Sequence, residues 1–294
     1  LRLKVGSSLS IAELLRVSAL LRVALRASDY GKRDHEPGEE DDALDAMFRE
    51  LAPVVSLAKE IDRCILSEEE IADDASNGLR SVRRAMKTAA EKIRTQLNSL
   101  VVNSRTYLQD GVITMRNGRY CVPVKAEHKS NVPGMVHDQS SSGSTIFVEP
   151  LSVVKLNNEL RELEIREQKE IEAVLAALSN QTCDHLDELT LDLELIGELD
   201  FIFAKAALSR HYRGCEPRLN KDGIIRLKNA RHPLLDPHRV VPITLTLGEN
   251  FDLLIVTGPN TGGKTVSLKT VGLLTLMGLA GLHVPAAEGT TLSV

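Results

Sequence analysis

The chain has 294 residues, 43% of them hydrophobic but only 3% aromatic, with no Trp and a formal net charge of −5. That length exceeds one ordinary domain, so two or three units are expected, packed mainly by aliphatic and helical surfaces. The negative charge excludes a globally basic nucleic-acid binder and leaves any phosphate contact to a local patch. No apolar run approaches the roughly 20 residues that cross a bilayer, and no signal-peptide pattern opens the chain, so no membrane partner is expected. Cys64, Cys121, Cys183 and Cys215 are scattered without any CxxC pair. This argues against zinc or a disulfide framework and for a reducing, cytoplasmic location. A first residue that is Leu rather than Met suggests a fragment.

Ser10 precedes a helical stripe of Ile11, Leu14, Leu15, Ala19, Leu21 and Leu25, with Glu13 placed to complete a capping box. Residues 32–42, KRDHEPGEEDD, are too charged to bury a face and are expected as loop. Two shorter helices are predicted over 43–66, broken near Pro53, and a long one over 78–108 with Val82, Met86, Ala89, Ile93, Leu97 and Leu100 on one face. A second long helix is predicted from Ser152 to about Leu189, as the returning arm of a hairpin. Between the arms, short alternating runs separated by Asn117-Gly118, Pro133-Gly134 and Ser140–Ser144 read as a small β module of hairpins. Residues 191–212 are again helical. Beyond Gly214 the pattern becomes β, at 224–227, 240–247 and 251–257, with a last strand at 290–294.

The motif with chemistry is Gly258-Pro259-Asn260-Thr261-Gly262-Gly263-Lys264-Thr265, a match to GxxxxGK[ST] after the apolar run Leu253–Val256 and before a predicted helix Val266–Met277. Its glycines let backbone N–H groups turn around a phosphate, and the helix N-terminus adds its positive end. All eight residues are candidate nucleotide contacts. Lys264 is suited to the β- and γ-phosphates and the Thr265 hydroxyl to Mg²⁺, so ATP and Mg are the expected cofactors. Turnover also needs a strand-borne acidic pair, and none follows Thr265. No residue here is therefore assigned as catalytic, and the chain alone is expected to bind nucleotide weakly without hydrolysing it.

GPNTGGKTVSLKTVGLL, followed by MGLAGLHVPA, resembles the P-loop segment of the MutS family, and Ala230–Leu235 (ARHPLL) resembles its Arg-His-Pro lead-in. Tyr120–Glu127 (YCVPVKAE) and Val136–Pro150 (VHDQSSSGSTIFVEP) are similar to the second bacterial branch, whose full-length members end in a small Smr nuclease domain. The resemblance implies a mixed fold: a long α-helical core and lever, an inserted β clamp, and the first part of an α/β, ABC-type P-loop ATPase domain. The units would run 1–110 (helical core and first arm), 111–150 (clamp), 151–214 (returning helices) and 215–294 (truncated ATPase domain). It further implies a homodimer that acts on nucleic acid. Relatives of this kind suppress recombination on branched DNA or split stalled or collided ribosomes, and the full-length protein would be an ATPase and endonuclease. The family's acidic strand, signature loop, dimer-completing helices and Smr domain do not occur in this stretch. The aromatic-Xaa-Glu wedge of mismatch-reading MutS does not occur either, which makes mismatch repair an alternative. A structural coiled-coil protein stabilised by nucleotide is another.

Arg116, Arg119, Lys125 and Lys129 in the β module are candidate nucleic-acid contacts, although Glu127, Asp138 and Glu149 nearly cancel them locally. Val240, Val241 and Pro242 lie where resembling proteins place a surface under the adenine ring; core valines of an edge strand explain them equally. His232 reads as scaffolding.

Overall fold

The computed structural model describes residues 7–32, 41–259 and 262–294. It divides into two compact units, Leu1–Glu40 with Phe48–Leu193 and Asp41–Met47 with Glu194–Val294. Most of the charged loop expected at 32–42 lies outside the described residues.

The first unit opens with α1 (Ile11–Gly31), whose start carries the expected capping box: Ser10 Oγ accepts from the Glu13 amide, and Glu13 Oε2 accepts from the Ser10 amide at 2.8 Å. The break at Pro53 separates α2 (Asp45–Glu50) from α3 (Val55–Cys64). The end of that predicted helical stretch instead forms a small antiparallel hairpin, β1 (Ile65–Ser67) with β2 (Glu70–Ile71). Helix α4 (Asn77–Asn103) is capped by Ser76, which accepts from the Leu79 amide, and ends five residues short of the predicted Leu108. Leu108 instead bridges to Val124 of the sheet.

Between α4 and α5 (Leu151–Asp184) lies the β module: β3 (Thr114–Arg116), β4 (Arg119–Lys125), β5 (Gly134–Gln139) and β6 (Thr145–Pro150), all antiparallel in the order β3-β4-β6-β5. Asn117 and Gly118, at φ 53° and 73°, make the tight primed turn their sequence predicts. Pro133-Gly134 is not a hairpin turn. A 3-10 segment, Ala126–Asn131, joins β4 to β5, and Gly134 enters β5 where a Cβ would lie 2.2 Å from the Glu149 carbonyl oxygen. The close approach of β6, not a turn, demands glycine there.

Two apolar clusters sit along the long α5 helix. Near its start, Val153, Leu160 and Leu163 pack with Ala89, Ile93 and Leu97 of α4 and with Val122, Val124 and Val148 of the sheet. Near its end, Val174 and Leu178 pack with Leu14 and Leu21 of α1 and Leu57 and Ile61 of α3. Between the clusters the seam is ionic. Arg83 of α4 donates to Glu167 of α5, to Asp73 and to the Ile71 carbonyl, each at 2.7 Å. Burial alone would lower the Arg83 pKa, but these carboxylate contacts raise it.

The sheet is joined to α5 by one buried carboxylate. Glu149 is fully buried and accepts from Arg119 Nη1 (2.7 Å) and Asn157 Nδ2 (2.8 Å), with His137 Nε2 2.6 Å away. Burial pushes its pKa up, but the Asn157, His137 and Arg119 contacts overcome this and hold it below the ordinary 4.5. Asn157 also pairs with both backbone groups of Tyr120, donating to its carbonyl and accepting from its amide at 3.2 Å, as a neighbouring strand would.

The second unit takes most of α6 (Leu186–Tyr212), then β7 (Arg218–Asn220), β8 (Ile225–Ala230), β9 (Ile243–Leu247), α7 (Lys264–Leu279) and β10 (Thr291–Ser293). The sheet order is β7-β10-β8-β9; β10 runs parallel to β7, and the β10-β8 and β8-β9 pairs are antiparallel. Leu227, Leu274, Met277, Val284 and Leu292 form its core. One sequence expectation fails: 251–257 is not a strand, and Leu253 and Ile255 are 74% and 75% exposed. An extended apolar segment becomes a strand only by pairing, and among the described residues no strand pairs with it. Among the described residues no helix is long and apolar enough to cross a membrane.

Leu97→Ala is expected to cost about 2–5 kcal/mol by transfer and cavity terms, measured by urea unfolding; a loss under about 1 kcal/mol would mean the α4–α5–sheet cluster is not a true core. Because Glu149 has a depressed folded pKa, its contribution is complete above about pH 4.5 and is lost as pH falls further. Glu149→Gln should therefore destabilise the unit at pH 7 and flatten the acid limb of its stability profile; an unchanged acid limb would remove Glu149 from that role.

Candidate functional site

The glycine loop runs from the unpaired 251–257 segment into α7. Gly258 has φ 147°, and Gly263, at φ 78°, is the left-handed N-cap of α7, a conformation that strains any side chain. Gly262 donates to the Pro259 carbonyl at 3.0 Å, and a Cβ there would lie 3.1 Å from that same oxygen. The Ser267 amide and hydroxyl both bond to the Gly263 carbonyl, closing the first turn. The earlier amides of α7 have no acceptor within the helix. Asn260 and Thr261 lie outside the described residues.

Lys264 Nζ reaches back across the loop to the Gly258 carbonyl at 2.7 Å, which places the ammonium over the turn. Thr265 follows on the exposed first turn. Both line a cleft of about 500 Å³ with Ser267 and Leu268 of α7, Ile225 and Leu245 of the sheet, and Asp252 as the one carboxylate among the described lining residues. Glycine-permitted backbone, unpaired helix N–H groups and one ammonium make this an anion cradle. Sequence reasoning did not single out Asp252, because no spacing rule links it to the loop. Among the described residues no cluster of His, Cys, Asp or Glu could hold a metal ion by itself.

The four basic residues proposed for nucleic acid differ in their surroundings. Arg119 is bound inward by Glu149 and by Asn158 Oδ1 at 2.6 Å. Arg116 pairs with Asp138 at 3.1 Å and lies over the Phe147 ring at 4.1 Å. Lys125 donates to the Thr106 carbonyl at 3.2 Å but forms no ion pair among the described residues, and Lys129 is exposed and unpaired among them. Free positive charge on this module is thus confined to Lys125 and Lys129 beside the 3-10 segment. The inward role of Arg119 was hidden because its partners Glu149 and Asn158 are 30 or more residues away in sequence.

No family profile matches the chain. An endonuclease MutS2 from Agathobacter rectalis is 57% identical over 295 residues, covering 100% of this chain and 37% of that protein. The endonuclease MutS2 of Lachnospira eligens is 55% identical with the same coverage. That of Lachnoclostridium phytofermentans is 53% identical over 300 residues, covering 100% of this chain and 38% of the relative. The chain thus spans little more than a third of the length of the curated relatives it matches. Since the similarity runs from end to end and includes both long helices, the β module between them and the glycine loop, the chain belongs to the MutS2 family.

Proposed function

We propose that this chain is the lever-bearing, nucleotide-binding segment of a MutS-type ATPase clamp that works on nucleic-acid assemblies. The observation that carries the reading is the loop Gly258–Thr265, with two glycines at positive φ, opening onto the N-terminus of α7 with Lys264 held across its mouth. These residues fit a nucleoside triphosphate: the backbone amides from Gly263 to Val266 and the Lys264 ammonium would hold its phosphates, and Thr265 would ligate Mg²⁺. Bound there, MgATP supplies the phosphoryl chemistry. This chain's own residues would bind and orient it, and among the described residues the cleft is lined by one carboxylate, Asp252, and not by an acidic pair that could position a water. In this reading 215–294 is the first part of an ATPase domain, 111–150 is the clamp, and the helices of 1–110 and 151–214 carry motion between them in a homodimer in the cytoplasm.

The names of the relatives support nuclease activity in the longer proteins, and the substrate is read as branched DNA, a stalled ribosome, or both. In this reading the clamp meets phosphate through Lys125 and Lys129, the two cations of the module that are not paired internally.

Lys264→Ala is expected to weaken ATP binding by tenfold or more in a fluorescent-nucleotide titration, with an unchanged thermal melt. Equal binding by the variant would dismiss the loop as the site. The chain alone is expected to release no phosphate from ATP above background, and robust turnover would overturn the division of labour above. In the full-length protein, Lys125→Glu with Lys129→Glu should lower the magnitude of the salt slope of nucleic-acid binding by about two, one per lost phosphate contact. An unaltered slope would move the contact off this face.

A further inference from the structure

The second unit contains another concavity, of about 280 Å³, which shares no lining residue with the glycine-loop cleft. It lies where the end of α6 meets the segment after β8, and Arg213, Arg231, His211, His232 and His238 contribute to its walls. Among the described residues no carboxylate lines it, in a chain with a net charge of −5. The nearest acid in sequence, Asp236, is turned to the His238 amide (2.9 Å) and to Arg239 (3.7 Å).

Three of these residues, Arg213, Arg231 and His232, are set up to meet an anion. Helix α6 ends in a Schellman turn: Gly214 N–H bonds to the Ser209 carbonyl and Arg213 N–H to the Arg210 carbonyl. Arg213 thus occupies the left-handed position, at φ 49°, that glycine normally takes. A cation is kept at a site where its backbone is strained, and such strain points to a use for the side chain. The guanidinium of Arg231 gives only Nη2 to the Tyr212 and Arg213 carbonyls, at 3.1 and 3.2 Å; its remaining guanidinium N–H groups have no partner among the described residues. His232 Nδ1 accepts from the Leu234 amide at 3.3 Å, which leaves the proton on Nε2 as a further donor. The remaining walls are apolar, with Tyr212, Pro233, Leu235 and Val240 among them.

We propose that this pocket binds a compact organic phosphate, with the phosphoryl group on the two guanidiniums and the imidazoles and a ring or other apolar body against Tyr212 and Pro233. Guanidinium donors match phosphate geometry, and a volume of about 280 Å³ lies just under the usual ligand-pocket range of about 300–1,000 Å³, which limits the ligand to a compact one. The inference does not rest on the reading of the glycine loop, although the wall residue Val240 belongs to the segment that resembling proteins set under the adenine ring.

The test is titration of the full chain with phenyl phosphate and, separately, with inorganic phosphate, followed by calorimetry and ³¹P line broadening. Wild type, Lys264→Ala, Arg213→Gly and the exposed pair His211→Ala with His238→Ala are compared. Phenyl phosphate should bind more tightly than inorganic phosphate, lose about tenfold in affinity in each pocket variant, and bind the Lys264→Ala chain unchanged. Arg213→Gly removes the charge while relieving the left-handed strain, so it should melt no lower than wild type, and weaker binding by it cannot be assigned to unfolding. Loss of binding in Lys264→Ala with retention in the pocket variants would place the anion on the glycine loop and overturn the proposal. Absence of saturable binding to wild type would overturn it as well, and equal affinity for the two probes would eliminate the apolar half of the site.

Discussion

The first unit turns on a carboxylate that has left water. Glu149 is fully buried, and a buried charge persists only if its oxygens are met by donors in good geometry. Those donors come from three elements: Arg119 on β4, His137 on β5 and Asn157 on α5. Apolar packing of Val153 and Leu160 against the sheet would tolerate some sliding of the helix. The polar contact does not, because a shift of α5 would strand Glu149 and the Tyr120 backbone together. The arrangement therefore fixes the register of α5 on the sheet as well as the contact itself.

The same economy of placement governs the glycine loop. A cradle for phosphate needs backbone turned inward, which side chains oppose, so glycines stand at the positions with positive φ and at the close approach to Pro259. The loop is held at one end by the first turn of α7, itself fixed by Leu274 and Met277 in the core and by Gly278 lying against Leu292. At its other end the 251–257 segment has no pairing strand among the described residues, and its apolar side chains face outward.

What was legible in the sequence was local. The Ser10–Glu13 box, the Asn117-Gly118 turn and the alternating Tyr120, Val122 and Val124 each specify their structure within a few residues. The glycine loop is legible for the same reason, since its motif is contiguous. What was hidden depends on partners far along the chain. β1 and β2 are too short to show periodicity and exist by pairing with each other. β7 is three residues long and is defined by its parallel neighbour β10, more than 70 residues later. Leu253–Val256 looks like a strand by composition, but strand is a property of pairs. Arg116 and Arg119 looked like unpaired surface charge because their partners Asp138 and Glu149, of which only Glu149 is buried, are 20 to 30 residues away.

The long α5 helix has a mechanical consequence. Its 34 residues span about 51 Å, with one apolar cluster near each end. A rigid rod of that length multiplies angle into distance: a tilt of about 10° at the end packed by α1 and α3 moves the other end sideways by about 9 Å. That is nearly twice the spacing between neighbouring strands, about 4.8 Å. A tilt of that size about Val174 and Leu178 would therefore displace the β module by more than one strand spacing.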